Sequence, residues 1–121
     1  MGPKDVGMKI LVVSNESSVL AEAENALKHV FRGAEIITET DPLMACKYSL
    51  NNEVNYVFAS ENMKRMSGAD LLQFIKKEHP TVKAYLIFSD ADSSTEVFYD
   101  DFDGAIRYHF SDEELKSLLL G

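Results

Sequence analysis

The sequence predicts an α/β domain in which helices cover both faces of a parallel sheet. Five short apolar or β-branched segments alternate with segments of helical periodicity, and capping or turn residues lie at the junctions. Strands joined through helices run parallel, because parallel neighbours need long crossover connections. With 121 residues, 45% of them apolar and 26% charged, the chain suits one domain with a single core.

The first strand and helix have the clearest patterns. The predicted strands span 9–13, 35–39, 54–59, 84–88 and 104–108, and the predicted helices span about 19–32, 42–50, 67–78, 93–102 and 111–121. The first strand is continuously apolar, as expected for a central strand buried on both faces. Residues 15–18 offer N-caps to an amphipathic helix that has acidic residues early and basic residues late.

The next elements follow from β-branching and capping signals. Residues 35–39 form a short β-branched strand, and Asp41-Pro42 places a capping carboxylate before a proline suited to a first helical turn. After the apolar third strand, Ser67 and Asp70 have the spacing of a capping box, and His79-Pro80 ends that helix.

The last third of the chain is less regular. The fourth strand is apolar, but residues 93–102 predict only a short or irregular fourth helix, with Phe98, Tyr99 and Phe102 among acidic residues. These aromatics either cover the end of the sheet or form an interface anchor. A fifth strand follows, and Ser111 and Glu114 predict a capping box for the last helix.

The simplest fold of this length is flavodoxin-like, a doubly wound (βα)5 sheet with strand order 2-1-3-4-5. Such folds place ligands and chemistry at the carboxyl ends of the strands, near the switch between strands 1 and 3. There the sequence supplies Ser14, Asn15 and Glu16 after the first strand, and Ser60 and Glu61 after the third. We therefore take these five residues as the candidate site.

Composition narrows the possible functions. Cys46 is the only cysteine, so neither an intrachain disulfide nor a cluster of thiolate metal ligands is possible. The formal net charge of −8 argues against direct nucleic-acid binding. No apolar run is long enough for a membrane span and no signal peptide is visible, so we expect a cytoplasmic protein. We expect residues 1–7 to be a loose or vector-derived terminus and residues 8–121 to form the domain.

The segment from Met8 to Leu120 resembles bacterial response-regulator receiver domains, and 41–88 looks most like receivers of the LytR/AlgR type that precede a LytTR domain. The resemblance rests on the order of several motifs, none of which is specific alone. They are Ile10-Leu-Val-Val-Ser-Asn-Glu16, Asp41-Pro-Leu-Met-Ala45, Val57-Phe58 through Met66-x-Gly68, and Gly104-Ala-Ile-Arg-Tyr-His-Phe110. The family implies a CheY-like fold and a role in two-component signal transduction.

The chain departs from the family where the family does its chemistry. Receivers use an aspartate nucleophile, a divalent cation held by acids, and a hydroxyl and a lysine that contact the phosphoryl oxygens. On this chain the acidic positions fall on Ser14 and Asn15, the phosphoacceptor on Ser60, and the lysine on Tyr108. The switch hydroxyl falls on Ser89, or on Phe88 if the alignment shifts by one residue.

These departures predict a degenerate receiver that does not transfer phosphoryl groups and is not an enzyme. Glu16 and Glu61 are the remaining carboxylates near the site, so we expect no cofactor and no stable Mg²⁺ binding. The resemblance implies instead a protein partner or a homodimer through the predicted fourth helix, fifth strand and last helix, where Phe98, Tyr99, Phe102 and Arg107 are interface candidates. No membrane, nucleic acid or small-molecule substrate is expected, and the chain is a plausible N-terminal part of a longer transcription regulator.

Two alternatives stay open at this stage. One is a flavodoxin-like protein that holds a phosphate or a flavin at residues 14–18, although this loop lacks glycine and includes Glu16. The other is a receiver regulated by serine phosphorylation at Ser60, Ser67 or the pair Ser93-Ser94.

Overall fold

The computed structural model describes residues 7–89 and 102–120. Within these ranges five strands form one parallel sheet in the order β2-β1-β3-β4-β5, which confirms the predicted flavodoxin-like architecture. The strands are β1 (Lys9–Val13), β2 (Glu35–Glu39), β3 (Tyr56–Ser60), β4 (Lys83–Phe88) and β5 (Gly104–Arg107). The helices are α1 (Ser17–Val30), α2 (Pro42–Asn51), α3 (Gly68–Glu78) and α4 (Asp112–Leu120). The predicted fourth helix falls almost entirely outside the described residues, as do residues 1–6.

The core has two layers because the central strands are buried on both faces. Ile10 and Val12 of β1 point to the layer that α1 and α4 cover, and Leu11 and Val13 point to the layer beneath α2 and α3. All four side chains are 0% exposed. This is why the first strand reads as continuously apolar instead of alternating.

Three of the predicted helix caps are confirmed. The Asp41 carboxylate accepts a hydrogen bond from the Leu43 N–H at 2.9 Å, and Ser67 Oγ accepts from the Asp70 N–H at 3.1 Å. The Ser111–Glu114 capping box closes in both directions, with Glu114 N donating to Ser111 Oγ at 3.1 Å and Ser111 N donating to Glu114 Oε1 at 3.2 Å. Each bond satisfies a backbone donor that the first turn of a helix leaves without a partner.

The prediction of a polar side-chain cap for α1 is wrong. The N-cap residue is Glu16, and its side chain makes no capping hydrogen bond. Ser14 lies before the cap and its hydroxyl accepts from the Glu16 N–H, while the Asn15 side chain is used elsewhere. The polar side chains before α1 thus bond to neighbouring segments and do not cap the helix.

Asp103 fastens the amino end of β5 to the rest of the sheet. Its carboxylate accepts from the Ala84 N–H at 2.8 Å and contacts Lys76 Nζ at 3.0 Å and Lys83 Nζ at 3.8 Å. Burial acts to raise the pKa of this carboxyl, but the hydrogen bonds from Ala84 and Lys76 and the charges of Lys76 and Lys83 lower it on balance. One side chain thereby joins α3, β4 and β5.

Candidate functional site at the carboxyl ends of β1 and β3

Two hydroxyls meet at the centre of the candidate site. The parallel register pairs Val13 with Ala59, so the next residues, Ser14 and Ser60, lie side by side. Ser60 Oγ donates to Ser14 Oγ at 2.9 Å, and Ser14 Oγ also accepts from the Glu16 N–H at 3.2 Å. Ser14 is 1% exposed. A neutral, hydrogen-bonded pair therefore links the two strands where the family resemblance calls for carboxylates.

Asn15 connects the loops around this pair. Its Nδ2 donates to the Thr40 carbonyl at 2.7 Å, and its Oδ1 accepts from the Lys64 N–H at 2.6 Å. Both ends of the amide are therefore engaged with backbone, one with the β2–α2 loop and the other with the β3–α3 loop. Asn15 positions the loops, and a ligand would have to displace one of these bonds.

The two remaining acids lie close to the hydroxyl pair in the sequence and have different surroundings. Glu16 is exposed at the start of α1. The Glu61 carboxylate faces the amino end of α3, where Oε1 accepts from the Ala69 N–H at 3.4 Å. No group of three or more His, Cys, Asp or Glu side chains is close enough to hold a metal ion anywhere in 7–89 or 102–120.

These side chains are a poor set of ligands for Mg²⁺. A hard divalent cation favours several oxygen ligands, with at least one or two carboxylates. The strand ends present the Ser14 and Ser60 hydroxyls, which bond to each other, and the Asn15 oxygen, which already accepts a backbone N–H. No buried side-chain oxygen or nitrogen in the described residues lacks a hydrogen-bond partner. The oxygen atoms that a cation would need as ligands are thus already hydrogen-bonded within the protein.

Gly68 keeps the β3–α3 loop tight against β3. Its N–H donates to the Glu61 carbonyl at 3.0 Å, and a Cβ at this position would lie 2.2 Å from the Ser60 carbonyl oxygen. Only glycine leaves room for so close an approach of two backbone segments. Gly68 therefore lets the β3–α3 loop lie directly against the Ser60 backbone.

A small cleft of about 80 Å³ opens beside the hydroxyl pair. Its lining residues are Glu16, Val19, Ser60, Glu61, Asn62, Ile87, Phe88, Ser89 and Tyr108. The cleft therefore contains the predicted phosphoacceptor position, both candidates for the switch hydroxyl position, and the predicted lysine position. At the position where the family has a lysine, the cleft has Tyr108.

The aromatic side of the cleft is built at the end of β5. The Tyr108 N–H donates to the Phe88 carbonyl at 2.7 Å, and the Tyr108 ring stacks on His109 with centroids 4.0 Å apart. The guanidinium carbon of Arg107 lies 5.6 Å from the centroid of the Phe88 ring. Tyr108 thus closes the cleft with an aromatic wall.

One interface candidate needs correction. Phe102 is 9% exposed and packs with the core layer beneath α2 and α3. Its ring therefore stabilises the domain and leaves little surface for a partner. Arg107 is exposed at β5, whereas Phe98 and Tyr99 lie outside the described residues.

Solved structures provide the comparison that decides the fold. The chain superposes on a response-regulator receiver domain from Clostridium thermocellum with a TM-score of 0.77 and 23% identity, covering 92% of this chain and 90% of that one. The chain has the receiver-domain fold. A CheY-like receiver from Methanospirillum hungatei JF-1 gives a TM-score of 0.78 at 20% identity, with 91% and 88% covered.

A third similar structure, an uncharacterized protein from Neptuniibacter caesariensis, has a TM-score of 0.85 at 22% identity, with 97% of this chain and 87% of that chain covered. No protein-family model and no curated protein sequence matches the chain. In the described part of this receiver fold, no helix is long and apolar enough to cross a membrane.

The predicted fold places Ser14, Asn15 and Ser60 at one edge of the sheet, and the structure has them there. The hydrogen bond between the two serines and the bridging role of Asn15 between two loops are not predictable from the sequence pattern. Partners 46 and 49 residues apart leave no local signal in the sequence.

Proposed function

We propose that the chain is a pseudo-receiver, a receiver-fold domain that does not accept a phosphoryl group and acts by binding other proteins. The observation that carries the proposal is the Ser14–Ser60 hydrogen bond of 2.9 Å. A serine hydroxyl at its ordinary pKa is a weak nucleophile without an adjacent base, and the group bonded to Ser60 is another hydroxyl. By the resemblance to receivers, Ser14 takes the position of a metal-binding acid and Ser60 takes the position of the aspartate nucleophile.

The electrostatics of the cleft support the same proposal. Phosphoryl transfer needs cations that neutralise charge on the transferred oxygens. The cleft has Tyr108 at the lysine position and the carboxylates of Glu16 and Glu61 among its lining residues. An incoming phosphate would therefore meet charge of its own sign at Glu16 and Glu61.

The proposed role rests on the contrast between the receiver fold and the replaced residues at its strand ends. Because the scaffold is intact while its reactive groups are replaced, we infer a phosphorylation-independent interaction or dimerisation module in a signalling or transcriptional regulator of LytR/AlgR-like type. The proposed partner surface is β5 and α4 together with the predicted fourth helix, and Arg107 is its exposed candidate among the described residues. Neither catalysis nor a cofactor is part of this role.

A titration with Mg²⁺ and beryllofluoride tests the proposal at the level of single residues. Beryllofluoride mimics a phosphoryl group on an aspartate, so ¹H–¹⁵N spectra of the chain should stay unchanged at Ser14, Ser60 and Tyr108. A phosphorylatable receiver run in parallel supplies the positive control. Saturable shifts at those three amides would contradict the proposal.

A further inference from the structure

The outer surface of α2 is unusual because its large apolar side chains face solvent. Four large hydrophobic side chains are exposed among the described residues, and three of them lie on this helix: Leu43 at 45%, Met44 at 48% and Leu50 at 57%. The buried face of α2 consists of Pro42, Ala45 and Ser49. A helix that only needed to cover the sheet would bury its large apolar residues and expose polar ones.

The exposed residues form one continuous stripe. At 3.6 residues per turn, positions 43, 44, 47, 50 and 51 fall within an arc of about 120°, and the buried positions lie on the opposite side. Lys47 is at the centre of that arc, with Leu43 one turn before it and Leu50 about one turn after it. We call Leu43, Met44, Lys47 and Leu50 the α2 stripe.

The charge of the α2 stripe differs from that of the chain. The chain has a net charge of −8, yet Lys47 is the only charged residue between Pro42 and Asn51. The nearest preceding acid, Asp41, caps the helix and contacts Arg65 Nη1 at 3.6 Å. No salt bridge in the described part of the chain involves Lys47. The stripe is therefore an apolar surface with one central positive charge.

This pattern argues against a second copy as the occupant. Closed dimers pair a surface with itself about a two-fold axis. Two α2 stripes that pack against each other, parallel or antiparallel, place Lys47 beside the Lys47 of its copy because this residue is central. Like charges forced together at a contact cost affinity and act against that partner.

We propose that the α2 stripe binds an amphipathic helix of another protein, one that presents apolar side chains on either side of an Asp or Glu. The apolar residues cover Leu43, Met44 and Leu50, and the carboxylate pairs with Lys47. Apolar anchors spaced by one and two helical turns are typical of an amphipathic helix that binds an apolar surface. The surface is separate from β5 and α4, because α2 packs on α3, β1 and β2 and β5 is the opposite edge of the sheet.

A selection experiment tests the stripe without knowledge of the natural partner. A display library of amphipathic helical peptides, with the position between the two apolar anchors randomised, is panned on the full chain and counter-selected on Leu43→Ser/Leu50→Ser. The expected result is enrichment of Asp or Glu at the randomised position. Enrichment of Lys or Arg, no enrichment, or equal binding to the double variant would overturn the proposal.

A charge-reversal variant supplies the matched control. Lys47→Glu should weaken the selected acidic peptides by about tenfold and favour peptides with a central Lys, since only the sign of one exposed charge changes. Circular dichroism and thermal unfolding should match those of the unmodified chain, because all the substituted side chains are exposed. Sedimentation should give the same oligomeric state for the unmodified chain and for Leu43→Ser/Leu50→Ser. A dimer that the double substitution abolishes would assign the stripe to self-association instead.

Discussion

Replacing Gly68 by alanine should destabilise the domain by moving the backbone next to Ser60. The new Cβ would lie 2.2 Å from the Ser60 carbonyl oxygen, 2.7 Å from its carbonyl carbon and 2.9 Å from Leu86 Cδ1. Ordinary contact begins at 3.4 Å, so the loop and strand must separate by roughly 1 Å. That separation stretches the hydrogen bond from Gly68 N to the Glu61 carbonyl, now 3.0 Å.

The expected size follows from three effects. Overpacking against backbone costs about 1 to 3 kcal/mol, and a weakened hydrogen bond adds about 1 kcal/mol. Alanine regains up to about 1 kcal/mol of helix propensity relative to glycine. We therefore expect the free energy of unfolding to fall by about 2 kcal/mol and the Tm to fall by roughly 10 °C. Urea unfolding followed by circular dichroism measures the first quantity, and calorimetry measures the second.

Gly104→Ala is the matched control. The nearest atom to its added Cβ is Leu118 Cδ1 at 2.9 Å, the end of a flexible side chain rather than backbone. Leu118 can rotate away, and the Tyr85 ring carbons at 3.2 and 3.3 Å need to shift by only a few tenths of an ångström. This variant should therefore lose less than about 1 kcal/mol. If Gly68→Ala were as stable as the unmodified chain, or less perturbed than Gly104→Ala, the close approach of the loop to β3 would be refuted.

Three further substitutions probe the site and its supports. Ser14→Ala should cost about 1 to 3 kcal/mol because it removes a buried hydroxyl that accepts hydrogen bonds from Ser60 Oγ and from the Glu16 N–H. A double-mutant cycle with Ser60→Ala should give a coupling of about 1 kcal/mol, and zero coupling in urea unfolding would contradict the hydroxyl pair. Asp103 has a lowered pKa in the folded state, so its contribution to stability is present above the unfolded carboxyl pKa of about 3.9 and is lost as the pH falls through the lower folded value. Urea midpoints of Asp103→Asn should therefore lie below those of the unmodified chain at pH 7 and converge with them in acid, and a gap independent of pH would refute this. Asp41→Asn retains the helix cap and should change stability by only a few tenths of a kcal/mol, whereas Asp41→Ala should cost about 1 kcal/mol; equal losses in the same assay would assign the effect to the ion pair with Arg65.

The architecture was predictable because its signals are local. The continuous apolar run of β1, the Asp41-Pro42 start of α2 and the Ser111–Glu114 capping box all lie within a few residues of the structure they specify. The predicted start of β3 was less accurate. Val54 is buried but precedes the strand, and Asn55 uses its side chain and backbone to join Lys9 and Lys83 before the strand begins at Tyr56.

The site and the α2 stripe depend on contacts that no local pattern encodes. Sequence alone offered residues 15–18 as caps for α1, but the Asn15 amide is committed to Thr40 and Lys64. Periodicity predicts α2 but does not say which face is buried. That depends on how closely the helix approaches the sheet, and the small side chains of Ala45 and Ser49 on the buried face allow a close approach.

The central claim is that the strand-end site cannot accept a phosphoryl group, and intact-mass spectrometry tests it most directly. The full chain is incubated with acetyl phosphate and Mg²⁺ beside a phosphorylatable receiver that gains 80 Da. The account predicts an unchanged mass for this chain under conditions that fully modify the control. An adduct of 80 Da that maps to Ser60 or to a neighbouring residue of the cleft would contradict it.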